Sequence, residues 1–248
     1  MNSKKCFTEI DALFKNNNIK VCDYFNYLRK ESSELLDMPA DIYNQYAKEF
    51  EIIKKEREFY KKNKKYILTK QERGAALEKL VKCFMLGNSP IFEEITNVRT
   101  ATNEIDIVIS WSSMAKQFNL NNSISAAKDK GFIGECKNYT DSVSVTYVGK
   151  FYSLLKTCGY KVGILFSING ISGSGWAYGS GLTKKLLLKD GTYILDFNYT
   201  DFEKIYNKET NFYNIVEDKI KAMNLDVDYS KLITKHDMAE KLKNKLLQ

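Results

Sequence analysis

Two short segments carry the residues whose types suit hydrolytic chemistry. Glu104-Ile105-Asp106-Ile107-Val108-Ile109 is a β-branched run with acidic residues set into it, and Phe132-Ile133-Gly134-Glu135-Cys136-Lys137 is a second short strand candidate. Side chains alternate between the faces of a strand, so Ile105, Ile107 and Ile109 pack inward while Glu104 and Asp106 face the other way. In the second segment Glu135 and Lys137 are two apart and share a face, with Cys136 opposite. If the two strands are neighbours, Asp106, Glu135 and Lys137 converge on one spot. Two carboxylates at that spacing can hold a hard divalent cation through oxygen, and the Cys136 backbone carbonyl is positioned to add a third ligand. A lysine beside the ion can orient or help deprotonate a water and stabilise charge developing on a phosphoryl group. The chemistry is metal-assisted phosphodiester hydrolysis without histidine. The same E-x-K spacing also suits an ordinary cross-face ion pair at a sheet edge, with Asp106 a turn or surface residue, and spacing alone leaves both open.

Composition narrows the field. A single histidine, His236, removes sites built on several imidazoles, and the Ser-His-Asp, Cys-His and H-E-x-x-H chemistries with them unless His236 is itself the base. The cysteines at 6, 22, 83, 136 and 158 are odd in number and never in a C-x-x-C pair, which argues for reduced thiols and against structural zinc. No window approaches ~18 consecutive apolar residues, and Met1 to Cys6 has no apolar run behind its lysines. Neither a membrane span nor a signal peptide is expected, and a cytoplasmic location is. The 248 residues read as a soluble globular chain with 38 basic and 31 acidic residues, a net charge of +7 that hints at a polyanionic partner such as nucleic acid.

The elements that must position these residues follow from periodicity. Residues 1–70 look helical, with Leu28, Leu35 and Leu36 as a stripe, a break at Pro39, then Ile42, Tyr46, Phe50 and Ile53 at helical spacing. This segment carries +4 of the charge, against +2 for 71–205 and +1 for 206–248. Lys54 to Lys70 holds eight basic residues against Glu56 and Glu58, a solvated helix end suited to phosphates. Leu77, Leu80, Val81 and Phe84 form a helical face ending at Gly87. Ser112 to Lys130 is polar and reads as a loop or insertion with one helical turn. Val148, Phe151, Tyr152 and Leu155 make another helix closed by Gly159, followed by strands at 162–166 and 192–195. The last forty residues are charged and helical again. The order suggests a mixed α/β layer with helices on its faces. The five glycines from Gly170 to Gly181 lack a G-K-[ST] or G-x-G-x-x-G pattern, so no nucleotide cofactor is expected and a turn approaching a DNA backbone is the better reading. Trp111 reads as core, Tyr139 as packed at a strand end, and His236 as solvent-facing.

With this order of elements, Asn103-Glu104-Ile105-Asp106 and Gly134-Glu135-Cys136-Lys137-Asn138-Tyr139 resemble the PD-(D/E)xK nucleases. The run from about Arg73 to Phe202 is similar to the Mrr-like restriction endonuclease catalytic domain. The likeness takes in the helix with Gly74, Glu78 and Leu80, the helix around Val148-Gly149-Lys150-Phe151, the strand Gly163-Ile164-Leu165-Phe166 with its turn Asn169-Gly170-Ile171-Ser172, and Leu187-Leu188-Lys189-Asp190-Gly191. Ile105 stands where the motif's name has proline. The resemblance implies an α/β fold with a restriction-endonuclease-like core, a central mixed sheet flanked by helices, with helical segments at 1–70 and 206–248. It implies Mg²⁺ dependence, with Mn²⁺ a substitute, and cleavage of double-stranded DNA. Carried over by position, Asp106 and Glu135 become metal ligands, Lys137 the water-positioning residue, and Glu78 the acidic residue that completes the site. Lys150, and Lys61, Lys62 and Lys65 in the basic stretch, are candidate nucleic-acid contacts. One active site cuts one strand, so double-strand cleavage would call for a homodimer or a second encounter. The alternatives are a non-catalytic DNA-binding or assembly module on the same fold, and a nuclease for branched DNA or RNA.

Overall fold

The computed structural model describes residues 20, 36–87, 91–99, 104–117, 120–122 and 124–226. The expected stripe at Leu28 and Leu35, the tail past 226 and His236 lie outside the described residues. Seven α-helices and a five-stranded mixed sheet are present among them. No helix among the described residues is long and apolar enough to cross a membrane.

Helix α1 (Ala40–Asn63) begins where Pro39 ends extended backbone, the Pro39 carbonyl accepting from Tyr43 N–H at 2.8 Å. It buries Tyr46, Phe50, Ile53 and Glu56, a helical stripe, and stops at Lys64, whose φ of 54° is left-handed. Helix α2 (Lys70–Gly87) opens on a reciprocal cap. Thr69 Oγ1 accepts from Glu72 N–H and Glu72 Oε2 accepts from Thr69 N–H at 2.8 Å, a T-x-x-E signal visible in the sequence.

The strands run β1 (Phe92–Arg99), β2 (Glu104–Trp111), β3 (Phe132–Lys137), β4 (Val162–Ser167) and β5 (Tyr193–Phe197), in that spatial order. The β1–β2 and β2–β3 pairs are antiparallel, while β3–β4 and β4–β5 are parallel. Between β2 and β3 the polar segment holds the short helix α3 (Ser113–Gln117) and two 3₁₀ turns. Helices α4 (Val145–Cys158) and α5 (Tyr178–Asp190) make the parallel crossovers, and α6 (Tyr199–Tyr206) and α7 (Phe212–Asp226) follow β5. Strand β1 was not expected. Its Glu93, Glu94, Thr96 and Asn97 break apolar alternation, and what makes it a strand is pairing with β2 from Phe92↔Trp111 to Arg99↔Glu104.

The sheet separates two cores. On one side Ile107, Ile109, Phe132, Cys136, Phe166 and Phe197 meet α1, α2, α6 and α7; on the other Ile133, Leu165 and Ile194 meet Val148, Phe151, Leu155 and Leu186. Tyr46, Phe50 and Ile53 of α1 and Phe212 and Val216 of α7 lie in the same core as the strands. Interior β4 is buried along its whole length, as a parallel strand covered on both faces must be. Gly163 lets α4 approach it, since a Cβ there would lie 2.6 Å from Phe151 and 2.7 Å from Leu155.

Asp190 ties both helices of the second core to the sheet. Its carboxylate accepts from Tyr152 Oη and Thr192 Oγ1, each at 2.6 Å, and pairs with Lys156 Nζ at 3.0 Å. Burial pushes its pKa up, but the hydrogen bonds from Thr192, Tyr152 and Lys156 outweigh that and hold the carboxyl well below the usual range. The folded pKa lies below the unfolded one, so this stabilisation is full above the unfolded carboxylate pKa of about 4 and fades as pH falls below it. Asp190→Asn is expected to cost about 1 kcal/mol at pH 7 in urea titrations, the gap to wild type narrowing by about pH 2.5. An equal gap at both pH values would show that the charge contributes nothing.

Candidate active site

Strands β2 and β3 deliver the three expected residues to one place. Their register, Ile109↔Phe132 to Ile107↔Gly134, carried one step further sets Asp106 opposite Glu135. Residues directly opposite share a face, which here is the face covered by α4. At this step a side chain replaces the ladder: Asp106 Oδ2 accepts the Cys136 N–H at 2.9 Å. N–H and C=O of one strand residue point the same way, so the Cys136 carbonyl also faces the Asp106 side. The Cys136 thiol lies in the opposite core, and burial, then the charges of Asp106, Glu78 and Glu135, push its pKa well up. It is inert as a nucleophile.

Lys137 Nζ stands 2.5 Å from Glu135 Oε1 and 3.9 Å from Asp106 Oδ2. Tyr147, in the first turn of α4, donates its hydroxyl to the same Glu135 Oε1 in a short hydrogen bond, and the Lys137 ammonium lies 5.2 Å from the Tyr147 ring. Burial and the neighbouring Asp106 raise the Glu135 pKa against the pull of Lys137 and Tyr147. For Lys137, burial alone would lower the pKa, but Glu135 and Asp106 outweigh it and keep the ammonium protonated. Burial and the Glu135 charge raise Tyr147, which therefore acts as a donor.

Glu135 is 7% exposed, and its second oxygen, Oε2, is buried with no hydrogen-bond partner among the described residues. An orphaned carboxylate oxygen costs roughly 1–3 kcal/mol or more. With Asp106 opposite Glu135 in the register, the two carboxylates suit a hard divalent cation, because Mg²⁺ is held by one or two carboxylates with waters and substrate phosphates completing the octahedron. Glu78 is exposed on α2, close enough for its charge to act on Cys136.

No protein-family model, curated protein or solved structure matches the chain.

The remaining candidates lie around this centre. Lys150 is exposed on α4, one turn beyond Tyr147. Lys61, Lys62 and Lys65 are exposed at the end of α1, where Tyr60 and Tyr66 line a cavity shared with Asn138, the residue after Lys137. Trp111 is core, its Nε1 donating to the Ala127 carbonyl at 2.7 Å, and Tyr139 is half-buried with its ring against Tyr147. Tyr147 escaped the sequence reading, although a signal existed. In a parallel crossover the first turn of the helix lies near the C-terminal end of the strand before it, so polar residues there can reach the strand's last side chains.

Proposed function

We propose that the chain is a metal-dependent DNA endonuclease with a restriction-endonuclease-like core, serving restriction or defence against foreign DNA. The observation that carries this is the convergence of Asp106, Glu135 and Lys137 on one face, with Glu135 Oε2 buried and without a hydrogen-bond partner among the described residues. A mixed sheet with helices on both faces agrees with the fold that the PD-(D/E)xK resemblance implies. Asp106, Glu135 and the Cys136 carbonyl would hold Mg²⁺ or Mn²⁺. Bound there, the ion supplies Lewis acidity toward the phosphoryl oxygens and lowers the pKa of a coordinated water. Lys137 positions the attacking water and offsets charge on the phosphate, while Tyr147 holds Glu135 in its rotamer. The basic end of α1, with Lys61, Lys62 and Lys65, and Lys150 on α4 supply counter-charge for the double-stranded DNA backbone.

One observation favours a second reading, a non-catalytic DNA-binding module: Lys137 already neutralises Glu135 directly, as an ordinary ion pair would. Incubation of supercoiled plasmid with the purified chain separates the two. Nicked and linear products with Mg²⁺ or Mn²⁺, and none with EDTA, are expected. DNA binding that is identical with and without metal, and no cleavage in either, would establish the second reading.

A further inference from the structure

A cavity of about 60 Å³ lies between the end of α1, the start of α2 and the loops that follow β3 and β4, with Arg57, Tyr60, Tyr66, Arg73, Asn138 and Thr140 in its wall. Arg73 is 8% exposed, so its guanidinium is taken out of water. Its Cζ lies over the Tyr66 ring, 3.5 Å from the ring centre, a cation–π contact that satisfies none of its N–H donors. Both Nε and Nη1 are buried with no acceptor among the described residues. Glu56, the carboxylate in the same wall, accepts from Leu68 N–H at 2.9 Å and forms no ion pair with Arg73. A buried guanidinium is ordinarily matched by an anion, and its planar set of donors suits carboxylate or phosphate oxygens.

Size and position choose between ligands. At about 60 Å³, against the roughly 150 Å³ of a cavity that takes a benzene ring, the space suits one small oxyanion better than a nucleobase. Asn138 Nδ2 donates to the Arg73 carbonyl at 2.8 Å, which fastens the arginine's turn to the residue next to Lys137. Lys61, Lys62 and Lys65, close in sequence to the wall residues Tyr60 and Tyr66, are exposed. We propose that this cavity binds a phosphate group through Arg73. Resting on the nuclease reading, that phosphate belongs to the backbone of bound DNA close to the one that is cut. The arginine then fixes the register of the strand on the Asp106–Glu135–Lys137 centre, as a positioning residue.

The test uses the full chain and two probes, inorganic phosphate and a labelled 20-base-pair duplex, the latter with EDTA so that binding is read without cleavage. Two variants are compared: Arg73→Gln, and Thr140→Glu, which places a carboxylate on the exposed rim without altering the interior. Phosphate is expected to raise the melting temperature of the wild type and of neither variant. Duplex affinity should fall about tenfold in both, with the slope of log K against log salt reduced by about one. If the wild type cuts no DNA yet phosphate stabilises it through Arg73, the pocket stands with free phosphate as its source and only the nuclease reading falls. If the wild type cuts DNA and folded Thr140→Glu and Arg73→Gln bind both probes as it does, the pocket proposal alone is overturned, and the cavity holds water.

Discussion

Asp106→Asn is expected to lower the plasmid cleavage rate by roughly a thousandfold, equivalent to ~4 kcal/mol of transition-state stabilisation, while the protein stays folded. The substitution is nearly isosteric. An asparagine Oδ1 can still accept the Cys136 N–H that Asp106 Oδ2 accepts at 2.9 Å, so the junction of β2 and β3 keeps its hydrogen bond. What is lost is the negative charge that would hold the cation beside Glu135. Lys137→Gln should act on the same step and by a similar factor. It also leaves Glu135 without its 2.5 Å partner, so its melting temperature should fall further than that of Asp106→Asn. Tyr147→Phe is the internal contrast. It removes one of two groups on Glu135 Oε1 while Lys137 still holds the carboxylate, and a loss of only a few fold is expected. The checks are nicking rates at saturating Mg²⁺, duplex affinity in EDTA, and circular dichroism of each variant. Asp106→Asn cutting within threefold of the wild-type rate would remove Asp106 from the site and with it the mechanism proposed above.

Phe84→Ala should be the most damaging single truncation in the core. Phe84 is fully buried on α2, and its ring lies against Tyr46 of α1, Phe166 of β4, Phe197 of β5, Phe202 of α6 and Phe212 of α7, with centroids 5.0 to 6.4 Å apart. Five elements distant in sequence meet on one side chain. Removing it costs the transfer of a large apolar group plus the cavity left among rings that cannot collapse into it, about 3–5 kcal/mol. For a chain of this size that is roughly 10 °C in melting temperature. Urea unfolding followed by both far-UV signal and tyrosine fluorescence should show one transition, shifted as a whole, because α1 and α7 share this core with the sheet. A cost under about 1.5 kcal/mol, or separate transitions for the two probes, would contradict a single core centred on Phe84.

The candidate site could be read from the chain because its signal is local. An acidic residue in a β-branched strand and a Glu-x-Lys two apart declare a shared face from the two-residue period of a strand, and Asp106, Glu135 and Lys137 do lie on one face. The helices ending at Gly87 and Gly159 and the strands at 132–137 and 162–166 were likewise visible, since each carries its own apolar period or stop signal. Long-range pairing is different in kind. Nothing within Phe92–Arg99 marks it as a strand, because its stabilisation comes from β2. Nothing near Tyr147 names Glu135 as its acceptor, and Arg73 looks in sequence like any basic residue in the first turn of a helix. Burial, and the loss of water that leaves Glu135 Oε2 and Arg73 Nε and Nη1 without hydrogen-bond partners among the described residues, are properties of packed surfaces brought together from distant segments. Periodicity assigns a side chain to a face; the desolvation that gives an unpartnered charge its affinity arises only when the faces close.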